Sequence, residues 1–418
     1  MPGMKQWSVS ADWIVPVDGP PIVNGVMRGR GKLIEAIGLP REVPHSANHQ
    51  TFRKAAVIPG LVNAHAHLDQ THMAGQLPPN RPFLDWLEAS RAKPLAGKDQ
   101  DTVVAQGAAA ALATGTTALV DVSWNHRAWL TLRGSPLRTV CMPELQDLYD
   151  PPADLDGLVK KLRGAPAADL AIRFGLFLQA PWSVSPALCK ETLSLAARRN
   201  WIVGMHLAET EAERQYMLHH LGQLIEYRRR QGAKDVPDET FRGTPIAYAR
   251  SVGLLDVPAL LIHLSRIDDE DIHLLSQGRA SVVYCPRANK FWGRGSHRYA
   301  DMLAAGVNVA LGTETMAANA NMDMIEEMRQ LRFEGKIDVN AILRTATLNG
   351  AKALGWDDRI GTLTPGKQAD WTAVQLGPNP GNPIESMLTL GGKVLQTAVA
   401  GETVFRHPDL KTPSPDEA

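Results

Sequence analysis

Short runs of apolar and β-branched residues alternate with helical stretches along most of the chain. Eight such runs end in polar residues, at 55–68, 116–123, 137–146, 171–180, 201–209, 259–267, 280–287 and 307–315. Helical patterns lie between them, for example at 101–115 and 189–200. Near-continuous apolar strands that alternate with helices are typical of parallel sheets buried on both faces. Eight strand–helix units predict an α/β fold, a (β/α)8 TIM barrel.

The two ends of the chain show a different pattern, in which β-forming residues and turns replace helical periodicity. Residues 7–38 and 365–406 both follow it. Chain termini often lie close together at the surface of a domain. We therefore predict a small composite β-sandwich domain built from both termini, residues 1–58 and 365–418, beside a barrel domain over residues 59–364.

Two connections are longer than a crossover between parallel strands requires, at 69–100 and 210–258. The loops at the carboxyl ends of barrel strands build the active sites of such folds, so both connections are candidate lids or pocket walls. The alternative for each is an ordinary elaborated connection that takes no part in a site.

The charge balance argues against general nucleic-acid binding. Among 418 residues, 44 are Lys or Arg and 44 are Asp or Glu, so the formal net charge is 0. The short basic run Arg228-Arg229-Arg230 is typical of a solvated helix face. No apolar stretch is long enough to span a membrane, and the first residues lack the apolar core of a signal peptide. We expect a small-molecule substrate as partner, with neither nucleic acid nor membrane.

The cysteines indicate a reducing environment. Cys141, Cys189 and Cys285 are far apart and form no CxxC pair. This spacing argues against a disulfide framework and against a thiolate zinc site. The expected location is the cytoplasm, and a homodimer is the oligomer that the sequence leaves open.

Histidines occur where a metal site at the barrel mouth would need them. His65 and His67 are at i and i+2 near the end of the first run, so both side chains point to one face of a strand. His206 and His263 are near the ends of the fifth and sixth runs. Converging imidazoles suit a borderline cation such as Zn²⁺; unrelated core or surface histidines are the alternative. Five further histidines fall in loops or helices, where we expect a solvated or structural role: His72, His219, His220, His273 and His297.

Two carboxylates accompany these histidines. Glu209 is three residues after His206, and Glu314 ends the eighth run. A catalytic zinc site keeps an open position for a water, whose pKa the metal lowers toward neutrality. A carboxylate that does not bind the metal can then move protons. A surface or helix-cap role is the alternative for either residue alone, but two carboxylates at one barrel mouth favour a hydrolytic metal site.

Taken in chain order, these and further segments resemble the amidohydrolase superfamily, in its aromatic deaminase and chlorohydrolase branch. The resemblance covers nearly the whole chain. Its segments are PGLVNAHAH at 59–67, HLAE at 206–209, His263, CPRAN at 285–289, LGT at 311–313, ATLNGA at 346–351, RIG at 359–361 and PGKQAD at 365–370.

The resemblance implies a role for each matching residue. His65, His67 and His206 would be metal ligands, with Zn²⁺ expected and Fe²⁺ as the alternative. Glu209 would be the general acid/base that protonates a ring nitrogen of the substrate, and His263 would orient the attacking water. The fourth run lacks the lysine that bridges two metals in the binuclear branch, because it reads FLQ at 177–179. One divalent metal is therefore expected.

One position departs from the family pattern. The eighth strand normally ends in Gly-Thr-Asp, and that Asp binds the metal and accepts a proton from water, whereas this chain reads Gly312-Thr313-Glu314. The extra methylene shifts the carboxylate, and a misplacement of ~1 Å can lower a rate ~100-fold. We favour the interpretation that Glu314 is a metal ligand and catalytic base with shifted geometry. The alternatives are that Glu314 acts as a base only through water, or that it marks a weakened barrel with a non-enzymatic role.

The implied reaction is hydrolytic deamination of an amino-substituted heteroaromatic ring, which breaks a carbon–nitrogen bond other than a peptide bond. Water adds to the ring carbon that bears the amine, Glu209 protonates the adjacent ring nitrogen, and ammonia leaves. The branch offers two kinds of alternative. One is deamination of adenosine, methylthioadenosine, S-adenosylhomocysteine or guanine, and the other is halide release by a chlorohydrolase.

Within that branch, two segments are most similar to aminodeoxyfutalosine deaminases of menaquinone biosynthesis: PFLDWL at 82–87 and HAHLDQTHMAG at 65–75. The implied substrate, 6-amino-6-deoxyfutalosine, needs aromatic walls for its purine and a cation for its carboxylate. Stacking of a base on an aromatic side chain contributes about 1–3 kcal/mol. For each candidate a packing or solvated role is the alternative. The candidate walls are Phe83, Trp86, Trp182, Phe291 and Trp292, and the candidate cations are Arg287, Lys290 and Arg294.

Overall fold

The structure is a computed structural model that describes residues 5–92, 98–124, 128–147, 155–162, 172–233, 241–378 and 381–410. These residues form two compact units. The first lies within Met1–Ala64, Gly107–Leu119 and Asn321–Ala418, and the second within His65–Gln106 and Val120–Ala320. The domain boundaries proposed from the sequence, 1–58 with 365–418 and 59–364, remain a prediction about which segments fold together.

The described residues contain seventeen strands. In chain order they are β1 (Gln6–Ile14), β2 (Ile22–Val23), β3 (Val26–Arg30), β4 (Leu33–Gly38), β5 (His49–Pro59), β6 (Leu61–His67), β7 (Thr116–Ser123), β8 (Arg138–Leu145), β9 (Ile172–Leu178), β10 (Ile202–Leu207), β11 (Ala259–His263), β12 (Ser281–Tyr284), β13 (Val309–Leu311), β14 (Glu314–Thr315), β15 (Trp371–Gln375), β16 (Val394–Val399) and β17 (Glu402–Arg406).

Fifteen α-helices are present in the same residues, with two short 3-10 turns at Leu68–Met73 and Leu254–Asp256. The helices are α1 (Phe83–Arg91), α2 (Lys98–Ala113), α3 (Ala128–Leu132), α4 (Leu155–Leu162), α5 (Pro186–Arg199), α6 (Glu211–His219), α7 (Gln223–Arg230), α8 (Pro245–Ser251), α9 (Asp269–Ser276), α10 (Pro286–Phe291), α11 (Tyr299–Ala304), α12 (Met324–Glu334), α13 (Val339–Thr345), α14 (Leu348–Ala353) and α15 (Pro383–Thr389).

Strands from both ends of the chain form one eight-stranded sheet. Its order is β17-β16-β15-β5-β1-β3-β4, with β2 paired to β1. The strand β5 runs parallel to β1 and antiparallel to β15, so it joins the two ends. Trp7, Phe52 and Trp371 are buried in the core of this sheet. The β-forming pattern at both termini therefore reflects one shared sheet, while its packing as a sandwich stays a prediction.

The strands β6 to β14 form a second sheet, in the order β13-β12-β11-β10-β9-β8-β7-β6-β14. The short strands β13 and β14 are two halves of the apolar run at 307–315; β13 pairs with β12, and β14 pairs with β6. The sheet therefore closes on itself through the eighth run. Every residue of β7 and β8 is buried, as parallel strands covered on both faces require. The predicted α/β barrel is confirmed.

The first apolar run is divided between the two sheets. Residues up to Pro59 belong to β5, and β6 begins at Leu61. Between them, the backbone N–H of Gly60 donates to the carbonyl of Asp370 at 2.9 Å. The run 55–68 reads as one strand in the sequence because both sheets bury their part of it, so the hydrophobic pattern does not change where the strand ends.

The long connection after β10 contains α6, α7 and α8. Residues 234–240 of this connection lie outside the described residues. The basic run lies on α7, and the structure corrects its expected exposure at one position. Arg228 is buried, and its guanidinium donates to the backbone carbonyl of Trp182. Arg229 is exposed and pairs with Glu226 at 2.7 Å. No helix among the described residues is long and apolar enough to cross a bilayer.

Candidate metal centre

Four side chains from three barrel strands converge at the barrel mouth. His65 and His67 end β6, His206 lies on β10, and Glu314 begins β14, and one nitrogen or oxygen of each lies within 4.8 Å of the others. The Nε2 atom of His65 is 2.8 Å from Oε2 of Glu314 and 3.3 Å from Nε2 of His206. The Nε2 atom of His67 is 3.6 Å from Oε1 of Glu314. The structure thus brings together the four residues predicted as ligands.

Strand register places Glu314 beside the two histidines of β6. Glu314 pairs with Ala66 in the parallel ladder, between His65 and His67. Its backbone φ is +61°, a left-handed conformation that is uncommon for a glutamate. Just before it, a Cβ at Gly312 would lie 2.8 Å from the carbonyl oxygen of His65, so only glycine permits this close approach. The break between β13 and β14 therefore aims the carboxylate at the histidines.

A backbone carbonyl orients one of the imidazoles, that of His206. The Nδ1 of His206 donates to the carbonyl of Gln179 at 3.0 Å. A hydrogen bond from one ring nitrogen fixes the tautomer, which leaves the other nitrogen of His206 as an acceptor or ligand that faces the cluster. Metal-binding histidines are held in this way.

Burial and neighbouring groups give three of these side chains, those of His67, His206 and Glu314, the protonation states of metal ligands. Burial lowers the pKa of His67 to about 4 and holds the pKa of His206 well below its usual value. Burial alone would raise the pKa of Glu314, but the charge and hydrogen bond of His65 hold it well below its usual value. Neutral imidazoles and an ionised carboxylate are the forms that bind a divalent cation. The donor set therefore fits one divalent metal.

Glu209, predicted to transfer a proton, and His263, predicted to orient the water, lie beside the cluster. The Nε2 atom of His263, at the end of β11, is 3.6 Å from Oε1 of Glu209 and 3.8 Å from Oε2 of Glu314. Burial raises the pKa of Glu209, an effect that the positive charge of Arg294 opposes. Burial, and secondly Arg294, holds the pKa of His263 well below its usual value. A neutral imidazole and a carboxylate thus adjoin the place where a metal-activated water would lie.

A pocket of about 440 Å³, including its open mouth, adjoins these residues. Three of the predicted aromatic walls line it, namely Phe83, Trp86 and Trp182. Among the lining residues that the sequence interpretation missed, four are polar or aromatic, and all four lie near the ends of barrel strands or in the turn after β6: Gln70, Trp124, Glu144 and Gln179. Their position directly at or after predicted apolar runs was the signal that could have identified them.

Other predicted substrate contacts lie elsewhere. Arg287 is half-buried on α10, and Lys290 is exposed on the same helix; neither lines the described pocket. Phe291 is half-buried and Trp292 is buried, and neither lines it. The guanidinium of Arg294 forms an ion pair with Glu209, so the structure pairs this predicted substrate cation with a side chain of the protein.

Two buried residues that the sequence interpretation did not single out as functional support Glu209 and His263. Each carboxylate oxygen of Glu213 accepts one backbone N–H, from Ala208 at 2.8 Å and from Glu209 at 2.9 Å. Ala208 has φ +49°, so Glu213 braces the turn that presents Glu209. His297, expected to be solvated or structural, is buried and donates from Nε2 to the carbonyl of His263. The structure thus gives His297 a structural role, because it supports the backbone of His263.

Two buried acids join the ends of β6 and β7. The backbone N–H of Leu68 donates to Asp121 at 3.0 Å, and that of Trp124 donates to Asp69 at 3.1 Å. Burial raises the pKa of Asp69 to about 7 and the pKa of Asp121 to about 8. These reciprocal bonds fix the segment that follows His67 against the segment that carries Trp124.

The amidohydrolase family model matches residues 56–404 of the chain. A 5-methylthioadenosine/S-adenosylhomocysteine deaminase of Moorella thermoacetica is 29% identical over an alignment of 430 positions, gaps included, which covers 97% of this chain and 95% of that enzyme. Among solved structures, an adenosine deaminase of Xanthomonas campestris with bound zinc aligns with a TM-score of 0.77 and 24% identity, covering 95% of this chain and 92% of that one. Helicobacter pylori aminofutalosine deaminase, in complex with methylthio-coformycin, aligns with a TM-score of 0.83 and 18% identity, covering 96% of this chain and 100% of that one.

Proposed function

Because the chain belongs to the amidohydrolase family, we propose that it is a metal-dependent deaminase that hydrolyses the exocyclic amine of an adenine nucleoside with a modified 5′ position. One observation carries this proposal. The cluster of His65, His67, His206 and Glu314 lies beside Glu209 and against a pocket with aromatic walls. A metal site, a proton-transfer group and a stacking surface are the parts that hydrolysis of an aromatic amine requires.

The four clustered side chains would hold one divalent cation, with Zn²⁺ as the first candidate and Fe²⁺ as the second. When bound, such a cation lowers the pKa of a coordinated water and so supplies a nucleophile at neutral pH. Three imidazoles and one carboxylate supply the nitrogen and oxygen donors that suit Zn²⁺, and a catalytic zinc site must also keep a position for the water.

The remaining steps belong to side chains of the protein. His263 would accept a hydrogen bond from the attacking water and direct it to the ring carbon that bears the amine. Glu209 would transfer a proton to the adjacent ring nitrogen, so that negative charge does not accumulate on the ring. Glu314 would accept a proton from the attacking water, and this proton would pass to the amine. The carbon–nitrogen bond then breaks, ammonia leaves, and the ring keeps the water oxygen. Phe83, Trp86 and Trp182 would stack on the purine and hold it in line for attack.

The curated relatives favour methylthioadenosine and S-adenosylhomocysteine as substrates, because the Moorella enzyme with that activity matches almost the whole chain. The second candidate is 6-amino-6-deoxyfutalosine, favoured by the segments at 82–87 and 65–75, which would give the chain a role in menaquinone biosynthesis. Both candidates are adenine nucleosides that carry a substituent at the 5′ position.

A release assay tests this proposal. Metal-replete protein is incubated with methylthioadenosine, S-adenosylhomocysteine, aminodeoxyfutalosine, adenosine, guanine and a chlorinated triazine, and both ammonia and chloride are measured. We expect ammonia from at least one 5′-substituted adenosine, and the Glu209→Gln variant as a control releases far less. Ammonia from guanine alone, chloride release alone, or no release from any adenine nucleoside would contradict the proposed substrate class.

A further inference from the structure

Arg294 lies directly against the carboxylate of Glu209. Its guanidinium forms an ion pair with Oε1 of Glu209, and the two side chains are only 6% and 9% exposed. An arginine buried against a carboxylate forms strong charge-assisted hydrogen bonds and restricts the orientation of that carboxylate. The contact therefore restrains the group that is proposed to move the proton.

The turn after α10 is built to present this arginine. Gly293 and Gly295, on either side of it, have φ of +65° and +81°, which side chains rarely adopt. The backbone N–H of Arg294 donates to the carbonyl of Asn289 at 3.1 Å. The side chain of Asn289 donates in turn to the carbonyl of Gly295 at 2.8 Å and accepts from Ser265 at 3.1 Å. The backbone on both sides of Arg294 is thus fixed.

Aromatic packing fixes the guanidinium itself. Its central carbon lies 3.9 Å from the centre of the Trp292 ring and 6.0 Å from that of Phe83. Trp292 packs edge-on against Trp86, with ring centres 5.0 Å apart. A guanidinium stacked on an aromatic face keeps its plane and its in-plane donors in one orientation. Arg294 is therefore held by backbone, stack and ion pair together.

We propose that Arg294 is a positioning residue that holds one oxygen of Glu209 and so directs the other toward the substrate ring nitrogen. This inference rests on the proposed function, because it assigns Arg294 a part in that reaction. A shift of the reacting group by ~1 Å can lower a rate ~100-fold, so loss of this restraint acts on turnover. A purely structural ion pair would instead affect stability and leave turnover per folded molecule unchanged.

The test compares Arg294→Met and Arg294→Lys with the wild type, each loaded with zinc. Ammonia release is measured with methylthioadenosine as substrate. If that nucleoside is inactive, the best substrate of the panel is used. Arg298→Met is the matched control, because Arg298 pairs with the surface acids Asp269 and Asp301. We expect Arg294→Met to lower kcat by ~10–100-fold at nearly unchanged KM and zinc content. Arg294→Lys, which keeps the charge but not the planar fork, is expected to recover part of the loss.

A double-mutant cycle separates positioning from structure. If Arg294 acts through Glu209, then adding Arg294→Met to Glu209→Gln lowers turnover little further, because the restrained group is already gone. Wild-type kcat in Arg294→Met, or a loss of the same size in both backgrounds, would overturn the inference while the proposed function stands. A wild-type protein that deaminates no adenine nucleoside would overturn the proposed function, and the inference with it. If Arg294→Met loses its zinc or unfolds, Arg294→Lys is used for the test instead. A wild-type kcat in Arg294→Lys, or the same fold loss of kcat with and without Glu209→Gln, would overturn the inference.

Discussion

The metal side and the substrate side of this site are built from different parts of the chain. The candidate ligands His65, His67, His206 and Glu314 lie on barrel strands, whose register fixes where each side chain points. Residues of the pocket wall lie instead at the start of a helix or just after a strand: Phe83 begins α1, and Trp124 follows β7. Strand ends determine a ligand set with little freedom, whereas connecting segments determine which molecule fits beside it. Substitutions on the two sides should therefore fail in different ways.

The largest effect should come from breaking the metal side. His206→Asn removes a ligand while its amide can still reach the carbonyl of Gln179. We expect the bound metal per chain to fall sharply and ammonia release to fall to background, measured by elemental analysis and by assay of the same sample. His273→Asn, at an exposed histidine of α9, is the control and should keep both. Full metal content in His206→Asn would remove His206 from the ligand set.

The next effect separates proton transfer from metal binding. Glu209→Gln keeps the size of the side chain and removes its ability to carry a proton, so kcat should fall by ~100-fold or more. Metal content should stay at the wild-type level, because Glu209 is not in the ligand cluster. Glu211→Gln, an exposed neighbour on α6, should leave kcat unchanged. An active Glu209→Gln enzyme would show that another group moves the proton.

A smaller effect should follow from changing the substrate side. Phe83→Ala removes one aromatic wall, and stacking of a base contributes about 1–3 kcal/mol, so KM should rise ~10-fold. Metal content and stability should change little, since Phe83 is only half-buried. Phe333→Ala, at an aromatic ring that is 82% exposed, is the matched control. Unchanged KM together with a lowered kcat would assign Phe83 a role in positioning instead of binding.

The smallest effect should come from Glu314→Asp, which shortens one candidate metal ligand by a methylene without removing its charge. The charge is kept, and aspartate tolerates the left-handed backbone at this position better than glutamate does. We expect metal to be retained and turnover to stay within ~10-fold of the wild type, less than the loss that a ~1 Å displacement can cause. Glu314→Gln, which removes the charge, should lose metal. Loss of metal in Glu314→Asp would mean that the site depends on the longer side chain.

The same contrast explains what the sequence could predict. The barrel and the four clustered side chains follow from apolar runs and from residues counted along strands, because alternation fixes the face of each side chain. The division of the run 55–68 between β5 and β6 could not be predicted, since both sheets bury it. Trp124 and Glu144 could have been named as candidates because they lie at or directly after predicted apolar runs, but the closed barrel was needed to show that they line the pocket.

Arg294 shows the limit most clearly. Counted along the chain, it is one of three cations near the CPRAN segment, and nothing in that spacing distinguishes a substrate contact from a partner within the protein. The distinction depends on the two left-handed glycines beside it and on a carboxylate 85 residues away in sequence. Long-range ion pairs of this kind are specified by packing and not by local pattern.

Three histidines and one glutamate from barrel strands are proposed to form one divalent metal site. A crystal of the zinc-loaded protein, with data collected on both sides of the zinc absorption edge, tests it directly. We predict one anomalous peak per chain, about 2.0–2.1 Å from Nε2 of His65, His67 and His206 and within bonding distance of the Glu314 carboxylate. A peak at another set of side chains, or none in protein that releases ammonia, would contradict the account.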